Sequence, residues 1–214
     1  MRARTRIKIC GITNPADALL AAELGADALG FIFFRRSPRY LDPSAARLII
    51  DALPPFVTPV AVIVNAGMEE IDEIMMHSGC RVAQLHGHES PDAVATCHWP
   101  VIKALSVATA DDLTPIADYP AARAILLDTK VTGEYGGTGV TFDWEIARAA
   151  HAYQRPLILA GGLTPDNVAD ALRIAAPAAI DISSGVEIAP GRKDHDRLQH
   201  LFAAVRSADC QLPR

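Results

Sequence analysis

Eight short apolar runs, each followed by a longer segment, constrain this chain more than any other feature. They are Arg6–Cys10, Ala28–Phe33, Thr58–Val64, Arg81–Leu85, Val101–Ala104, Ala124–Leu127, Pro156–Ala160 and Ala178–Ile182. Ile, Val, Leu and Ala dominate them, and none shows the polar alternation of a strand with one wet face. Such runs predict strands covered on both sides. The intervening segments carry helix signals. Asn14-Pro15, Asp42-Pro43-Ser44, Ser90-Pro91-Asp92 and Thr164-Pro165-Asp166 each set a capping side chain before a first-turn proline, with Thr164 as the cap of the last. Gly25 and Gly79 stand where helices should end. Eight strand-then-helix units in 214 residues predict an α/β chain folded as a single (β/α)8 barrel domain over residues 1–214. The competing architecture is an open, doubly wound sheet.

Charge and cysteine usage narrow the partners. The chain has 20 Lys and Arg against 25 Asp and Glu, a formal net charge of −5. That balance predicts no broad basic face and no nucleic acid partner. No apolar run approaches the roughly 20 residues that span a bilayer. The basic start, Met1-Arg2-Ala3-Arg4, leads into no signal-peptide apolar core. Cys10, Cys80, Cys97 and Cys210 are widely spaced without a CxxC, which argues against a disulfide framework or zinc knuckle. The expectation is a reduced, cytoplasmic protein with a small-molecule ligand. No interface stripe stands out, so a monomer is favoured.

In a barrel the working face lies at the C-terminal ends of the strands. The polar residues there are Cys10-Gly11, the Phe34–Tyr40 segment, Gln84-Leu85-His86, Asp128-Thr129, Gly161-Gly162 and Asp181-Ile182-Ser183-Ser184-Gly185. The glycines let backbone approach a ligand closely. Loops after the seventh and eighth strands of barrels frequently hold a phosphate, so Gly161, Gly162, Ser183, Ser184 and Gly185 are read as a phosphate site rather than plain turns. They do not spell a P-loop.

Single residues are more ambiguous. A lone Cys at a strand end is more often inert than catalytic. Lys8 shares the face of Cys10, and an ammonium there would favour the thiolate. Asp128 either tethers its loop or is a general acid kept protonated in a mostly apolar site. Arg39, in the stiff turn Ser37-Pro38-Arg39-Tyr40, suits either a ligand carboxylate or a surface ion pair. Arg35 and Arg36 are expected in solvent, and Trp99 and Trp144 in packing roles. His86 faces the same way as Gln84. With His88, Cys80 and Cys97 it forms no metal-binding spacing. Lys130–Thr141, with Gly133, Gly136, Gly137 and Gly139, reads as a mobile active-site loop.

Together these residues resemble one family. Lys8-Ile9-Cys10-Gly11-Ile12-Thr13, Gly25–Phe31, Ser37-Pro38-Arg39-Tyr40, Gln84-Leu85-His86-Gly87, Leu126-Leu127-Asp128-Thr129, Tyr135-Gly136-Gly137-Thr138-Gly139, Gly161-Gly162-Leu163, Asp181–Glu187 and Gly191–Asp196 are similar, in order, to the motifs of phosphoribosylanthranilate isomerases of tryptophan biosynthesis. The resemblance implies a (β/α)8 barrel that performs an Amadori rearrangement of an aminoaldose, phosphoribosylanthranilate, without metal or organic cofactor. It implies Cys10 as general base and Asp128 as general acid. Arg39 would hold the anthranilate carboxylate, the glycine and serine loops the phosphate, and His86 and Asp181 would line the site. Phe34-Arg35-Arg36 departs from the Tyr and Pro of many relatives. The histidine-pathway isomerases resemble this chain in their phosphate loops but carry Asp at the strand-one position, so Cys10 argues against that alternative. A non-catalytic phosphosugar-binding barrel would have no need of both Cys10 and Asp128.

Overall fold

The computed structural model describes residues 4–129 and 143–211. Eight parallel strands run in chain order: β1 (Arg6–Cys10), β2 (Ala28–Ile32), β3 (Thr58–Ile63), β4 (Val82–Leu85), β5 (Val101–Val107), β6 (Ala124–Thr129), β7 (Leu157–Leu159) and β8 (Ala179–Ile182). They close into a barrel when β8 pairs with β1, Lys8 opposite Asp181. Closure excludes the open doubly wound sheet.

Among the described residues seven α-helices pack outside: α1 (Pro15–Leu24), α2 (Pro43–Ile50), α3 (Met68–Ser78), α4 (Pro91–Thr96), α5 (Trp144–Ala149), α6 (Val168–Ala175) and α7 (His195–Gln211). The capping signals act as the sequence suggests. Asn14, Asp42 and Ser90 accept from the backbone N–H of Asp17, Ser44 and Ala93. Gly25 and Gly79 end α1 and α3 at φ of 106° and 77°. Alternate strand residues serve two cores. Ile7, Ile9, Leu29, Phe31, Leu127 and Ile180 face the helices, whereas Ala104, Leu126, Ile158 and Ala160 fill the barrel interior. Ala104 and Ala160 keep part of that inner layer small.

Four features differ from the sequence expectation. β5 and β6 run past their apolar stretches, to Val107 and Thr129. Ser106 and Asp128 are paired in register there, since strand pairing uses backbone and tolerates polar side chains. The fifth crossover is a 3-10 segment, Ala110–Asp118, opened by a Thr109–Asp112 capping box and containing Pro115. Thr164 is not the side-chain cap of α6. Its backbone carbonyl accepts from Asn167 and Val168, its N–H donates to Asn167 Oδ1, and the helix begins at Val168. Between β8 and α7 lies a short antiparallel hairpin, β9 (Glu187–Ala189) with β10 (Arg192–Lys193). The glycine-rich segment Lys130–Thr141 lies outside the described residues. Trp99 and Trp144 pack against the core, and Arg35 and Arg36 are exposed.

Candidate active site

The C-terminal ends of the strands surround one cavity. Its lining includes Cys10, Arg39, His86, Asp128, Gly161, Gly162, Asp181, Ser183, Ser184 and Gly185, so these ten candidates from separate strands and loops meet there. Gln84, Phe34, Val62 and Val64 complete much of the wall.

β1 supplies the thiol. Residues two apart on a strand share a face, and Lys8 and Cys10 both point into the barrel beside Gly30 of β2. A Cβ at Gly30 would sit 2.8 Å from Cys10 Sγ and 3.0 Å from Lys8 Nζ. Glycine at this position thus makes room for both groups. Lys8 Nζ donates to Asp181 Oδ2 at 2.8 Å. Burial works against the Lys8 charge, but Asp181 and Cys10 outweigh it, and the ammonium is held above its ordinary range. The thiol behaves differently. Burial pushes Cys10 up, Lys8 pulls it down, Asp181 pushes it up and Lys193 pulls it down. The net direction is upward, opposite to the thiolate expected from Lys8 alone. Desolvation of a thiolate in the barrel mouth is the larger effect.

β6 brings Asp128 into the same cavity. Asp128 Oδ1 accepts from the Thr129 N–H at 2.8 Å, and Oδ2 lies 3.3 Å from His86 Nε2. Gln84 Nε2 stands 3.2 Å from His86 Nδ1. Gly161 has φ of 81°, and a Cβ there would collide with Thr129 and come within 2.9 Å of Asp128 Oδ1. The loop after β7 therefore closes over Asp128 because it begins with glycine. The next loop is equally tight, since a Cβ on Gly185 would strike the Leu163 carbonyl.

Arg39 is tied down by Glu187. Its Nε donates to both carboxylate oxygens at 3.0 Å, and Nη2 donates to Oε2 at 2.7 Å. Lys193 Nζ donates to the other side of that carboxylate, Oε1, at 2.8 Å. Burial opposes the Glu187 charge, but Arg39 and Lys193 prevail and hold its carboxyl below the usual range. This pair of charges on β9 and β10 escaped the sequence reading. Lys103 and Glu89 also escaped it. Lys103 donates to Leu85 O, Gly87 O and Glu89 Oε2, at 3.1, 2.8 and 2.8 Å, and so braces the loop that carries His86. A lysine inside the apolar run Val101–Ala104 was the available signal for a buried partner.

Among the described residues, several buried polar atoms in and beside the cavity have no hydrogen-bond partner: Gln84 Oε1, His86 Nε2, Thr129 Oγ1, Asp181 Oδ1 and Ser183 Oγ. His86 Nε2 is close to Asp128 without the alignment of a hydrogen bond. Each such atom costs about 1–3 kcal/mol if left unsatisfied. Clustered here, they fit a polar ligand with several oxygens. Among the described residues, no group of three or more His, Cys, Asp or Glu is placed to hold a metal ion.

Known proteins match this chain over nearly its whole length. A family model described as N-(5'phosphoribosyl)anthranilate (PRA) isomerase matches residues 7–204. The N-(5'-phosphoribosyl)anthranilate isomerase of Acidithiobacillus ferrooxidans is 50% identical over 202 residues, covering 94% of this chain and 97% of its own. That of Trichlorobacter lovleyi is 48% identical over 203 residues, covering 95% and 98%. Among solved structures, phosphoribosyl anthranilate isomerase from Thermotoga maritima superposes with a TM-score of 0.89 at 41% identity, covering 95% of this chain and 99% of the other. Another isomerase structure, in complex with reduced 1-(o-carboxyphenylamino)-1-deoxyribulose 5-phosphate, gives 0.86 at 40% identity, covering 95% and 99%. The barrel, the cavity and these matches converge, and the chain belongs to the N-(5'-phosphoribosyl)anthranilate isomerase family.

Proposed function

We propose that this chain isomerises N-(5'-phosphoribosyl)anthranilate to 1-(2-carboxyphenylamino)-1-deoxyribulose 5-phosphate, the family's step in tryptophan biosynthesis, with Cys10 as base and Asp128 as acid. The observation that carries the assignment of roles is their meeting. A thiol from β1 and a carboxyl from β6 enter one cavity rimmed by Arg39 and by the two glycine and serine loops.

The chemistry suits that set. Asp128 gives a proton to the furanose ring oxygen. The C1′–O bond breaks, and the anilino nitrogen lone pair forms an iminium with C1′. The iminium acidifies C2′–H. Cys10, as thiolate, removes that proton, and the electron pair forms the C1′=C2′ double bond while neutralising nitrogen. The enolamine then becomes the ketone, C1′ gaining a proton as the C2′ hydroxyl loses one. Lys8 stands beside the thiol to favour the thiolate as it forms. Arg39 takes the anthranilate carboxylate, a match of planar fork to planar acid. Gly161, Gly162, Ser183, Ser184 and Gly185 take the phosphate, and His86 and Asp181 border the ribose between. The substrate supplies its own electron sink as the iminium, so these steps call on no cofactor.

The direct test is the fluorescence of freshly generated phosphoribosylanthranilate. Addition of purified protein should make it decay rapidly. An unchanged signal, with phosphosugar binding intact, would leave a binding protein instead.

Four free cysteines suit a reducing cytoplasm, and among the described residues no helix is long and apolar enough to cross a membrane. Self-association is better supported than the monomer the sequence suggested. Phe56 is 94% exposed in the turn before β3, on the face opposite the site, beside a cleft lined by Pro54, Val57, Met75 and Met76. The phosphoribosylanthranilate isomerase of Thermotoga maritima is described as dimeric, although the matched structure, 38% identical with a TM-score of 0.86, is of monomers generated from it. Exposed apolar surface of this kind marks association sites. Sedimentation should give a dimer mass that falls to a monomer in Phe56→Asp, and a wild-type monomer would sink the idea.

A further inference from the structure

The hairpin β9–β10 holds charges that the reaction does not use directly. Glu187 and Lys193 are buried. Their contacts reach three separate parts of the cavity wall. Glu187 engages Arg39 side-on, through Nε and one N–H of Nη2. Lys193 Nζ donates to Glu187 Oε1 at 2.8 Å, to the backbone carbonyl of Cys10 at 2.5 Å and to that of Ser183 at 3.3 Å. The hairpin itself is anchored. Asp17 Oδ2 accepts from the Lys193 N–H at 2.8 Å, and Arg197 donates to the Glu187 carbonyl at 2.9 Å.

A guanidinium has five N–H donors in a rigid plane. With the side-on pair committed to Glu187, Nη1 and the second N–H of Nη2 have no partner among the described residues and lie on the edge that a carboxylate grips end-on. The charge count points the same way. Arg39 and Lys193 bring two cations to a single carboxylate. Lys193 is fully enclosed and turned toward backbone carbonyls, so the surplus positive charge is presented at the free edge of Arg39. That edge belongs to a side chain lining the cavity.

We propose that Glu187 is a positioning residue that aims the free edge of Arg39 at the ligand carboxylate, and that Lys193 ties this aim to the Cys10 and Ser183 ends of the site. The inference rests on the substrate reading above. It adds a reason why a long, flexible arginine acts as a selective clamp: its rotamer is fixed before the ligand arrives. Immobilising such a side chain at the moment of binding would otherwise cost about 0.5–1.5 kcal/mol.

The test compares two ligands, reduced 1-(o-carboxyphenylamino)-1-deoxyribulose 5-phosphate and its anilino counterpart lacking the carboxyl group. The readout is the ratio of their dissociation constants by calorimetry. General loosening of the barrel weakens both ligands and leaves the ratio alone. In the charge-matched E187Q/K193M the preference for the carboxylate ligand should fall roughly three- to tenfold, the immobilisation cost expressed as a ratio. If that variant does not fold, E187Q/K193Q, which keeps the same charge, is read in its place. Arg39→Ala is the companion variant and should abolish most of the preference. A preserved ratio in the Glu187 variant beside a collapsed ratio in Arg39→Ala overturns the positioning role while the clamp stands. A preserved ratio in both overturns the clamp and the positioning role together, and leaves the isomerase assay to stand or fall by itself.

Discussion

Cys10→Ala and Asp128→Asn should each lower kcat by about 10²–10⁴-fold, the usual contribution of a positioned acid or base. Both substitutions nearly conserve volume, so the cavity should survive and ligand binding should persist. The two groups act on different bonds, one on the ring oxygen and one on C2′–H, so neither can cover for the other. Full turnover in either variant would remove that residue from the mechanism. The pH profile adds a second check on Cys10. Burial leaves its thiol above its ordinary range. A base must lose its proton to act, so kcat/KM should climb with pH on the alkaline side, where the free enzyme's thiol titrates. Residual activity of Cys10→Ala should lack that limb. The same limb in the variant would assign it to another group.

Lys103→Met should destabilise the protein by about 3–5 kcal/mol, because it leaves a buried carboxylate without its cation. Lys103 and Glu89 are almost fully enclosed, on the opposite face of β5 from the barrel interior. The loss also strips donors from the carbonyls of Leu85 and Gly87. Against a total of about 5–15 kcal/mol for an ordinary domain, this is a large fraction. Denaturant unfolding would measure it as a lower midpoint. The deficit has a pH signature. Burial opposes the Glu89 charge, but Lys103 and the backbone donors prevail, and its carboxyl sits below the ordinary range. A carboxyl depressed in the folded state stabilises fully above its unfolded value, about 4.3 for Glu. That contribution is lost as pH falls through the folded value. The gap between wild type and variant should therefore narrow in strong acid. A gap below about 1 kcal/mol at neutral pH would mean that the pair does not hold the loop.

The strands were legible because burial on both faces leaves an unbroken apolar stretch. Their C-terminal limits were not, because Ser106 and Asp128 keep the ladder while breaking the apolar pattern. Hairpin β9–β10 was invisible for a related reason: two and three residues, with charged Glu187, Arg192 and Lys193, carry no period to detect. The cavity residues could be gathered from the rule that barrels work at strand ends, together with the resemblance to a family. What held them in place could not. Arg39 meets Glu187 across 148 positions, and no local pattern announces such a partner. The direction of the Cys10 titration failed for want of burial. Lys8 was on the correct face, but the desolvation that outweighs it exists only once the barrel has closed.

The same wiring bears on how the enzyme is born. Lys8 waits for Asp181, 173 positions on, and the Cys10 carbonyl waits for Lys193, 183 positions on. A ribosome releases those partners last, so a nascent chain with its first strands already outside carries an unsupported thiol. Chain fragments that stop before β8 should hold no competent base, however well their early strands pair. Activity should appear in a single late step of synthesis, when the hairpin and α7 reach the residues made first.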